Sequence, residues 1–100
     1  MLEFANYISD ISSLCSIHKV RHLYAFGSSV TNKFNSESDI DFLVDFYPLN
    51  STDYADNYYD LKFALESMLN RRIDLLEEKA LKNPYFLKAI ENSKQLIYGN

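Results

Sequence analysis

The sequence predicts one domain of the α/β class, α+β in arrangement, with a mixed sheet of about four strands covered by helices. Segments with apolar residues at helical spacing alternate with short apolar segments typical of strands, in the order α β α β α β α β. The chain has 100 residues, of which 47% are apolar and 15% aromatic, which suits one core and not two. Only two glycines and two prolines interrupt it. We therefore expect residues 1–100 to form a single domain.

The first third of the chain is expected to form a helix, a strand and a short helical turn. The helix runs from Glu3 to Ile17, and a short aromatic strand from Arg21 to Phe26 is ended by Gly27. Ser28 to Lys33 fits a helical turn, and Phe34 to Glu37 fits a polar connection. The apolar stripe that should face the core from the first helix consists of Phe4, Ile8, Ile11, Leu14 and Cys15.

The segment from Asp39 to Phe46 has the clearest strand pattern in the chain. Its side chains alternate between two faces, and its apolar residues indicate that one side is buried. Asp45 lies near the far end of this strand, and we expect it to be solvated. One face carries Ile40, Phe42, Val44 and Phe46, and the other carries Asp39, Asp41, Leu43 and Asp45.

The second half of the chain is expected to add two helices and two strands. A loop from Pro48 to Asp53 precedes a long helix that ends at about Asn70. Arg72 to Leu76 is the third strand, and Gln95 to Tyr98 is a last short strand. Between them an Asn-Pro pair begins a helix that ends near Ser93, because Asn caps helices and Pro suits the first helical position. The predicted core stripe of the long helix is Tyr54, Tyr58, Leu61, Leu65 and Met68.

Charge and composition disfavour several classes of protein. The net charge of −4 argues against binding of duplex DNA, which requires a basic face. The single cysteine, Cys15, can form no internal disulfide, which fits a reducing compartment. The first residues lack the pattern of a signal peptide, and no apolar stretch approaches the ~20 residues of a membrane span. We expect a soluble, cytoplasmic protein with no membrane partner.

Two aspartates stand two residues apart on the clearest strand, so their side chains share a face. Carboxylates about 6 Å apart repel by about 3 kcal/mol at an effective dielectric near 20. A bound cation such as Mg²⁺ accounts for Asp39 and Asp41 better than a role as strand-end caps. Asp74 offers a third carboxylate within an apolar strand, where an unpaired charge is costly. It is either a ligand in a two-metal site or the ion-pair partner of Arg71 or Arg72.

A Gly-Ser pair follows the first predicted strand. Glycine allows the backbone to approach a phosphate closely, and Ser28 can donate its hydroxyl while amides of the next turn point at the anion. Turns use both residue types freely, so the pair is informative only together with the aspartates. In that combination it predicts a site that binds both a cation and a phosphate.

These motifs together resemble the nucleotidyltransferase superfamily that includes DNA polymerase beta. The resemblance is greatest to its smallest branch, the minimal nucleotidyltransferases paired with HEPN partners in toxin–antitoxin systems. The matching residues are Gly27-Ser28, then Ser38-Asp39-Ile40-Asp41 about ten residues later, and Asp74 on a later strand. The likeness covers most of the chain and implies a polymerase-beta-like fold. Where the family often has a basic residue and then Arg-Gly, this chain has Ser29 to Lys33.

The resemblance implies a reaction and roles for individual residues. A nucleoside monophosphate, AMP from ATP, would pass to a hydroxyl of a HEPN toxin with loss of pyrophosphate, which makes the protein an antitoxin. Two Mg²⁺ ions are the implied cofactors. The implied catalytic metal ligands are Asp39, Asp41 and Asp74, and the implied nucleotide-binding residues are Gly27, Ser28, Ser38 and Lys33.

Two other functions stay open at this point. The departure at Ser29 to Lys33 permits a weak or vestigial nucleotide site, in a protein that neutralises its HEPN partner only by covering it. Transfer to a small molecule ranks lowest, because 100 residues leave little room for an acceptor domain. A cluster of tyrosines is either an exposed interface or a set of half-buried rings with wet hydroxyls. It consists of Tyr47, Tyr54, Tyr58 and Tyr59.

Overall fold

The computed structural model of the chain describes residues 4–27 and 39–99. In chain order the elements are a 3₁₀ turn Phe4–Asn6, α1 Ile8–Ile17, β1 Val20–Phe26, β2 Ile40–Phe46, α2 Ser51–Leu69, β3 Ile73–Glu77, a second 3₁₀ turn Glu78–Ala80, α3 Pro84–Ser93 and β4 Gln95–Tyr98. The predicted helical turn Ser28 to Lys33 and the connection Phe34 to Glu37 lie outside the described residues. None of the helices within the described ranges has both the length and the apolar character that crossing a membrane demands.

The strands form one mixed sheet in the order β3-β2-β1-β4. β1 pairs antiparallel with β2 and with β4, whereas β2 and β3 run parallel. Parallel neighbours cannot be joined by a tight turn, and the 19 residues of α2 provide the crossover between β2 and β3. The predicted mixed sheet of four strands covered by helices is confirmed.

Helices cover both faces of this sheet. α1 and α2 pack on one face, and α3 packs on the other face through Ile90, which joins Phe26 and Leu43 in a second apolar cluster. Because helices cover both faces of the sheet, the central strand β2 is buried on both sides and not on one. Phe42 on one face is 0% exposed, and Leu43 on the other is 2% exposed. The fully buried residues that α1 and α2 contribute are Ile11, Cys15, Leu61 and Leu65.

The first helix differs from the prediction of one helix from Glu3 to Ile17. The amide of Tyr7 donates to the carbonyl of Phe4 at 2.9 Å, which closes a 3₁₀ turn before α1 begins. This turn seats the Phe4 ring 5.9 Å from the ring of Phe42. The break shifts the phase of the helical repeat, and Ile8 of the predicted stripe is 39% exposed as a result.

The helix α2 begins earlier than predicted. The amides of Asp53 and Tyr54 both donate to the carbonyl of Asn50, at 3.1 and 3.0 Å, so Asn50 holds the position before the first turn. The helix starts at Ser51, and the end of the predicted loop Pro48 to Asp53 is already helical. Polar residues that favour loops also favour first turns of helices, and local sequence does not separate the two.

The helix α3 begins as predicted. The side-chain oxygen of Asn83 accepts hydrogen bonds from the amides of Tyr85 and Phe86, at 2.9 and 3.2 Å. Pro84 occupies the first helical position, where its missing N–H costs nothing. β4 follows directly and has the predicted bounds, Gln95–Tyr98.

Asp45 is buried, contrary to the expectation that it is solvated. It is 7% exposed, and Arg21 donates to it from Nε at 2.8 Å and from Nη2 at 3.3 Å, while His22 Nδ1 lies 3.2 Å away. A register irregularity between Val20 and His22 sets two residues of β1 against one of β2, which lets both side chains reach the carboxylate. The hydrogen bond from Arg21 is the largest cause of a lowered pKa at Asp45; the hydrogen bond from His22 also lowers it, and burial opposes them.

We expect Asp45→Asn to lower the free energy of unfolding at pH 7 by about 2 kcal/mol, because charge-assisted hydrogen bonds are lost at a buried site. The pKa of Asp45 is lower in the folded chain than in the unfolded chain. Its stabilisation is thus present above the unfolded pKa of about 4 and disappears as pH falls through the folded pKa. Urea titrations of the wild type and the variant at pH 7 and at about pH 2.5 to 3 measure how the difference in their free energies of unfolding changes with pH. Asp10→Asn, at an exposed carboxylate on α1, is the control; equal effects of the two substitutions at pH 7 would contradict the assignment.

Candidate active site

Two of the predicted carboxylates lie side by side on the parallel strands. Asp41 of β2 and Asp74 of β3 are register partners, so both side chains point to the sheet face that carries α3. The amide of Ile40 donates to the carbonyl of Arg72 at 3.1 Å and fixes this register at the start of β2. Asp39 stands one residue before β2 and is exposed. The fold thus places Asp41 beside Asp74 and leaves Asp39 exposed just before the start of β2.

Gly27 closes the site from the side of β1. Phe26 pairs with Asp41 across the sheet, and Gly27 follows with a φ of 71°. A Cβ on Gly27 would fall well inside contact distance of Oδ2 of Asp41. Positive φ and this close approach both require glycine. The other predicted nucleotide-binding residues, Ser28, Lys33 and Ser38, lie outside the described residues.

The acidic pair has an unusual protonation equilibrium. Burial raises the pKa of Asp41 to about 6, helped by a hydrogen bond with Asp74 and by the negative charges of Asp74 and Asp39. Below that pH the protonated Asp41 can donate to the Asp74 carboxylate, and above it the two charges repel. A bound cation would remove this repulsion.

The donor chemistry of the pair fits a hard divalent cation. Mg²⁺ in phosphoryl-transfer sites commonly uses one or two carboxylates and completes its shell with water and substrate phosphate. Within residues 4–27 and 39–99, no cluster of three or more His, Cys, Asp or Glu side chains is arranged to hold a metal ion. Asp41 and Asp74 offer their carboxylate oxygens side by side, and metal binding by Asp39, Asp41 and Asp74 stays a prediction.

An apolar wall beside the acidic pair was not predicted. Phe26 lies opposite Asp41, so both side chains occupy the same sheet face. Its ring meets the ring of Phe86 from α3 edge-on, with centroids 6.2 Å apart. Apolar neighbours of this kind exclude water from the carboxylate and favour its neutral form. The position of Phe26 beside Asp41 follows from the pairing of β1 with β2, which the local sequence does not reveal.

The sequence of the chain matches a known protein family and individual members of it. The profile of the nucleotidyltransferase domain family matches residues 11–97. A candidate protein adenylyltransferase of Methanocaldococcus jannaschii is 40% identical over 81 residues, which are 81% of this chain and 78% of that protein.

Solved structures share the fold. A candidate minimal nucleotidyltransferase superposes with a TM-score of 0.76 at 26% identity, over 92% of this chain and 90% of the other. The MNT antitoxin of Shewanella oneidensis, solved in complex with a tri-AMPylated HEPN toxin, superposes with a TM-score of 0.68. That match covers 98% of this chain and 74% of the other at 19% identity, and it supports the fold alone.

We expect Gly27→Ala to lower the free energy of unfolding by about 2 kcal/mol. Left-handed backbone conformation costs alanine about 1 kcal/mol, and the new methyl group displaces the Asp41 carboxylate. Thermal and urea denaturation of the purified protein measure the loss. In an Asp41→Ala background the same substitution should cost only the backbone part. An identical cost in both backgrounds would contradict direct contact between the two residues.

We expect Asp41→Asn to stabilise the fold at pH 7. Since the pKa of Asp41 is raised to about 6 on folding, the folded chain binds more protons than the unfolded chain between about pH 4 and 6. Stability contributed by this group is therefore full at low pH and falls as pH rises through 6. Because Asp41 is partly exposed and solvent screens its charge, we expect the free energy of unfolding to rise by only about 1 kcal/mol at pH 7. Urea titrations at pH 4 and pH 7 should show a gain at pH 7 alone; no change at pH 7 would refute the raised pKa.

Proposed function

The chain belongs to the nucleotidyltransferase family, and from that premise we propose that it transfers AMP from ATP to a hydroxyl of a HEPN-domain partner and thereby acts as its antitoxin. The observation that carries the proposal is the in-register pair Asp41–Asp74 with Gly27 set against it. The relative from M. jannaschii bears the name of a protein adenylyltransferase, which supports a protein as the acceptor. The complex of an MNT antitoxin with an AMPylated HEPN toxin supports the class of partner.

Asp41 and Asp74 would hold Mg²⁺, with the exposed Asp39 as a further ligand. Bound Mg²⁺ supplies a Lewis acid that offsets the charge of the transferring phosphate and favours the ionised acceptor oxygen. Asp41 must lose its proton to act as a ligand, and although its pKa is raised to about 6, the carboxyl is still largely ionised at pH 7. Asp74 lies on β3, the outermost strand on its side of the sheet, and is exposed, which suits contact with the acceptor.

The nucleotide would lie with its phosphates against Gly27. The absence of a side chain at Gly27 leaves its backbone next to Asp41, so phosphates bound there would lie near the carboxylates that would hold the cation. Ser28, Ser38 and Lys33 are the proposed remaining phosphate contacts. Phe26 and Phe86 limit water on the side of α3.

The transfer has a simple balance of atoms. The acceptor oxygen forms a bond to the α-phosphorus of ATP while the bond from that phosphorus to the pyrophosphate oxygen breaks. The acceptor hydroxyl loses its proton to solvent or to a carboxylate of the site, and pyrophosphate leaves. Positioning and charge stabilisation are enough for such a reaction, because the protein forms no covalent bond to the nucleotide.

One feature favours a second function. The segment Ser29 to Lys33 departs from the basic pattern that the family resemblance leads us to expect after the Gly-Ser pair. Weak phosphate binding would leave a protein that neutralises its HEPN partner by covering it, with no transfer. The two functions differ in whether the partner gains mass.

We expect the HEPN-domain partner to gain the mass of one or more AMP groups when incubated with this protein, ATP and Mg²⁺. Asp41→Asn should reduce the transfer rate by at least about a hundredfold, because one charged ligand of the cation is lost. Intact-mass spectrometry of the partner measures the product. Asp10→Asn, an exposed carboxylate on α1, is the matched control and should transfer at the wild-type rate.

Toxin inhibition without any mass gain would favour the binding function. Full transfer by Asp41→Asn would show instead that the reaction does not use the acidic pair. Replacing Mg²⁺ by excess chelator should stop transfer in the wild-type protein without unfolding it.

A further inference from the structure

Aromatic rings form a ladder along α2 from the core to the surface. Phe46 meets Tyr54 edge-on at 5.8 Å, and Tyr54 stacks on Tyr58 at 6.3 Å. Tyr58 meets Tyr59 edge-on at 5.0 Å, and Tyr59 stacks on Phe63 at 5.9 Å. The last two rings are 51% and 58% exposed. The ladder therefore ends in two adjoining aromatic side chains held against each other in solvent, a composition typical of interface centres.

Beside the ladder lies a depression of about 470 Å³, which we name the α2–β3 groove. Tyr54, Tyr58 and Tyr59 line it from α2, and Leu75 and Leu76 line it from β3. The lining is mainly apolar side chain, so the groove suits apolar groups of a binding partner.

The edge of β3 next to this groove is closed to an added strand. The amide of Ile73 donates to Oε2 of Glu66 at 3.1 Å, and the hydroxyl of Tyr58 donates to the carbonyl of Leu75. Because the carbonyl of Arg72 faces β2, alternation along the strand turns the polar groups of Ile73 and Leu75 outward. A strand that paired here would have to displace both bonds. The occupant of the groove is thus a helix rather than a strand.

Acidic residues flank the exposed rings. Asp56 and Asp60 are exposed, and helical spacing places them on the same face of α2 as Tyr59 and Phe63. A partner surface with Lys or Arg beside an apolar stripe would match this pattern of charge.

The groove and the acidic pair share the strand β3. Leu75 and Leu76 directly follow Asp74 along β3. A protein seated in the groove therefore contacts the same strand that carries Asp74.

We propose that the α2–β3 groove, together with Phe63 stacked on Tyr59 beside it, is the docking surface for an amphipathic helix of the acceptor protein that carries basic residues beside its apolar stripe. This inference rests on the proposed function and adds to it the surface that selects the acceptor. Docking and chemistry use separate residues, so the two can be tested independently.

The test compares the wild-type protein with Tyr59→Ser/Phe63→Ser, using as probe a purified HEPN-domain protein from the same organism. Calorimetry measures the affinity for the probe, and intact-mass spectrometry measures AMP transfer. We expect at least about tenfold weaker binding, because two central aromatic anchors are lost. The KM for the probe should rise by a similar factor, while kcat at saturating probe and ATP binding stay unchanged. Ile17→Ser, at a side chain 71% exposed on α1, is the matched control and should bind within about twofold of the wild type.

A second pair of variants tests the acidic rim. Asp56→Lys/Asp60→Lys should weaken binding and reduce its dependence on salt, since opposite charges are replaced by like charges. Both substituted sites are exposed, and circular dichroism with a thermal melt verifies that each variant keeps the fold.

The outcomes separate this inference from the proposed function. If the serine variant binds and modifies the probe as the wild type does, the groove is not the docking surface and the proposed function stands. If the wild type neither binds nor modifies the probe, both are overturned. Sedimentation that shows a dimer of this chain dissociated by the serine substitutions would assign the groove to a second copy and overturn docking of the acceptor.

Discussion

The parallel pairing of β2 with β3 is the constraint on which the rest of the structure depends. Parallel neighbours need a long crossover, and the 19-residue α2 fills that role while it covers one sheet face with leucines. The same pairing brings Asp41 and Asp74 together from positions 33 residues apart in the chain. A shift of one residue in this register would turn one of the two carboxylates to the opposite face.

Two aspartates on one face of β2 show how strand pairing decides the chemistry of a side chain. Asp45 faces Arg21 and His22 from β1, and its pKa is lowered. Asp41 faces Asp74 from β3 and the apolar Phe26 from β1, and its pKa is raised. The first carboxylate stabilises the fold, and the second carries a charge that burial and its acidic neighbours disfavour, at the position where we propose that a cation binds. Such opposed environments are typical of sites in which stability is exchanged for function.

The helix α2 connects the core, the sheet edge and the surface. Its leucines pack inward, while Glu66 and Tyr58 bond the outward polar groups of β3. Those bonds protect an edge that would otherwise attract another strand. The remaining exposed face combines aromatic rings with carboxylates. The proposed docking surface and the crossover that brings Asp41 beside Asp74 thus belong to one helix.

The sequence by itself determined the mixed sheet, the start of α3 at the Asn-Pro pair and the candidate residues Gly27, Asp41 and Asp74. These follow from local patterns: periodicity, capping chemistry and the two-residue spacing of a strand. Only the tertiary structure decided that Asp45 is buried with Arg21, that the first helix is broken at Tyr7, and that Tyr58 bonds the edge of β3. The physical reason is that each of these depends on which distant strand or helix lies alongside, and that choice follows from register and packing across the whole sheet. Local sequence limits the candidates for a contact, whereas the pairing of the strands selects among them.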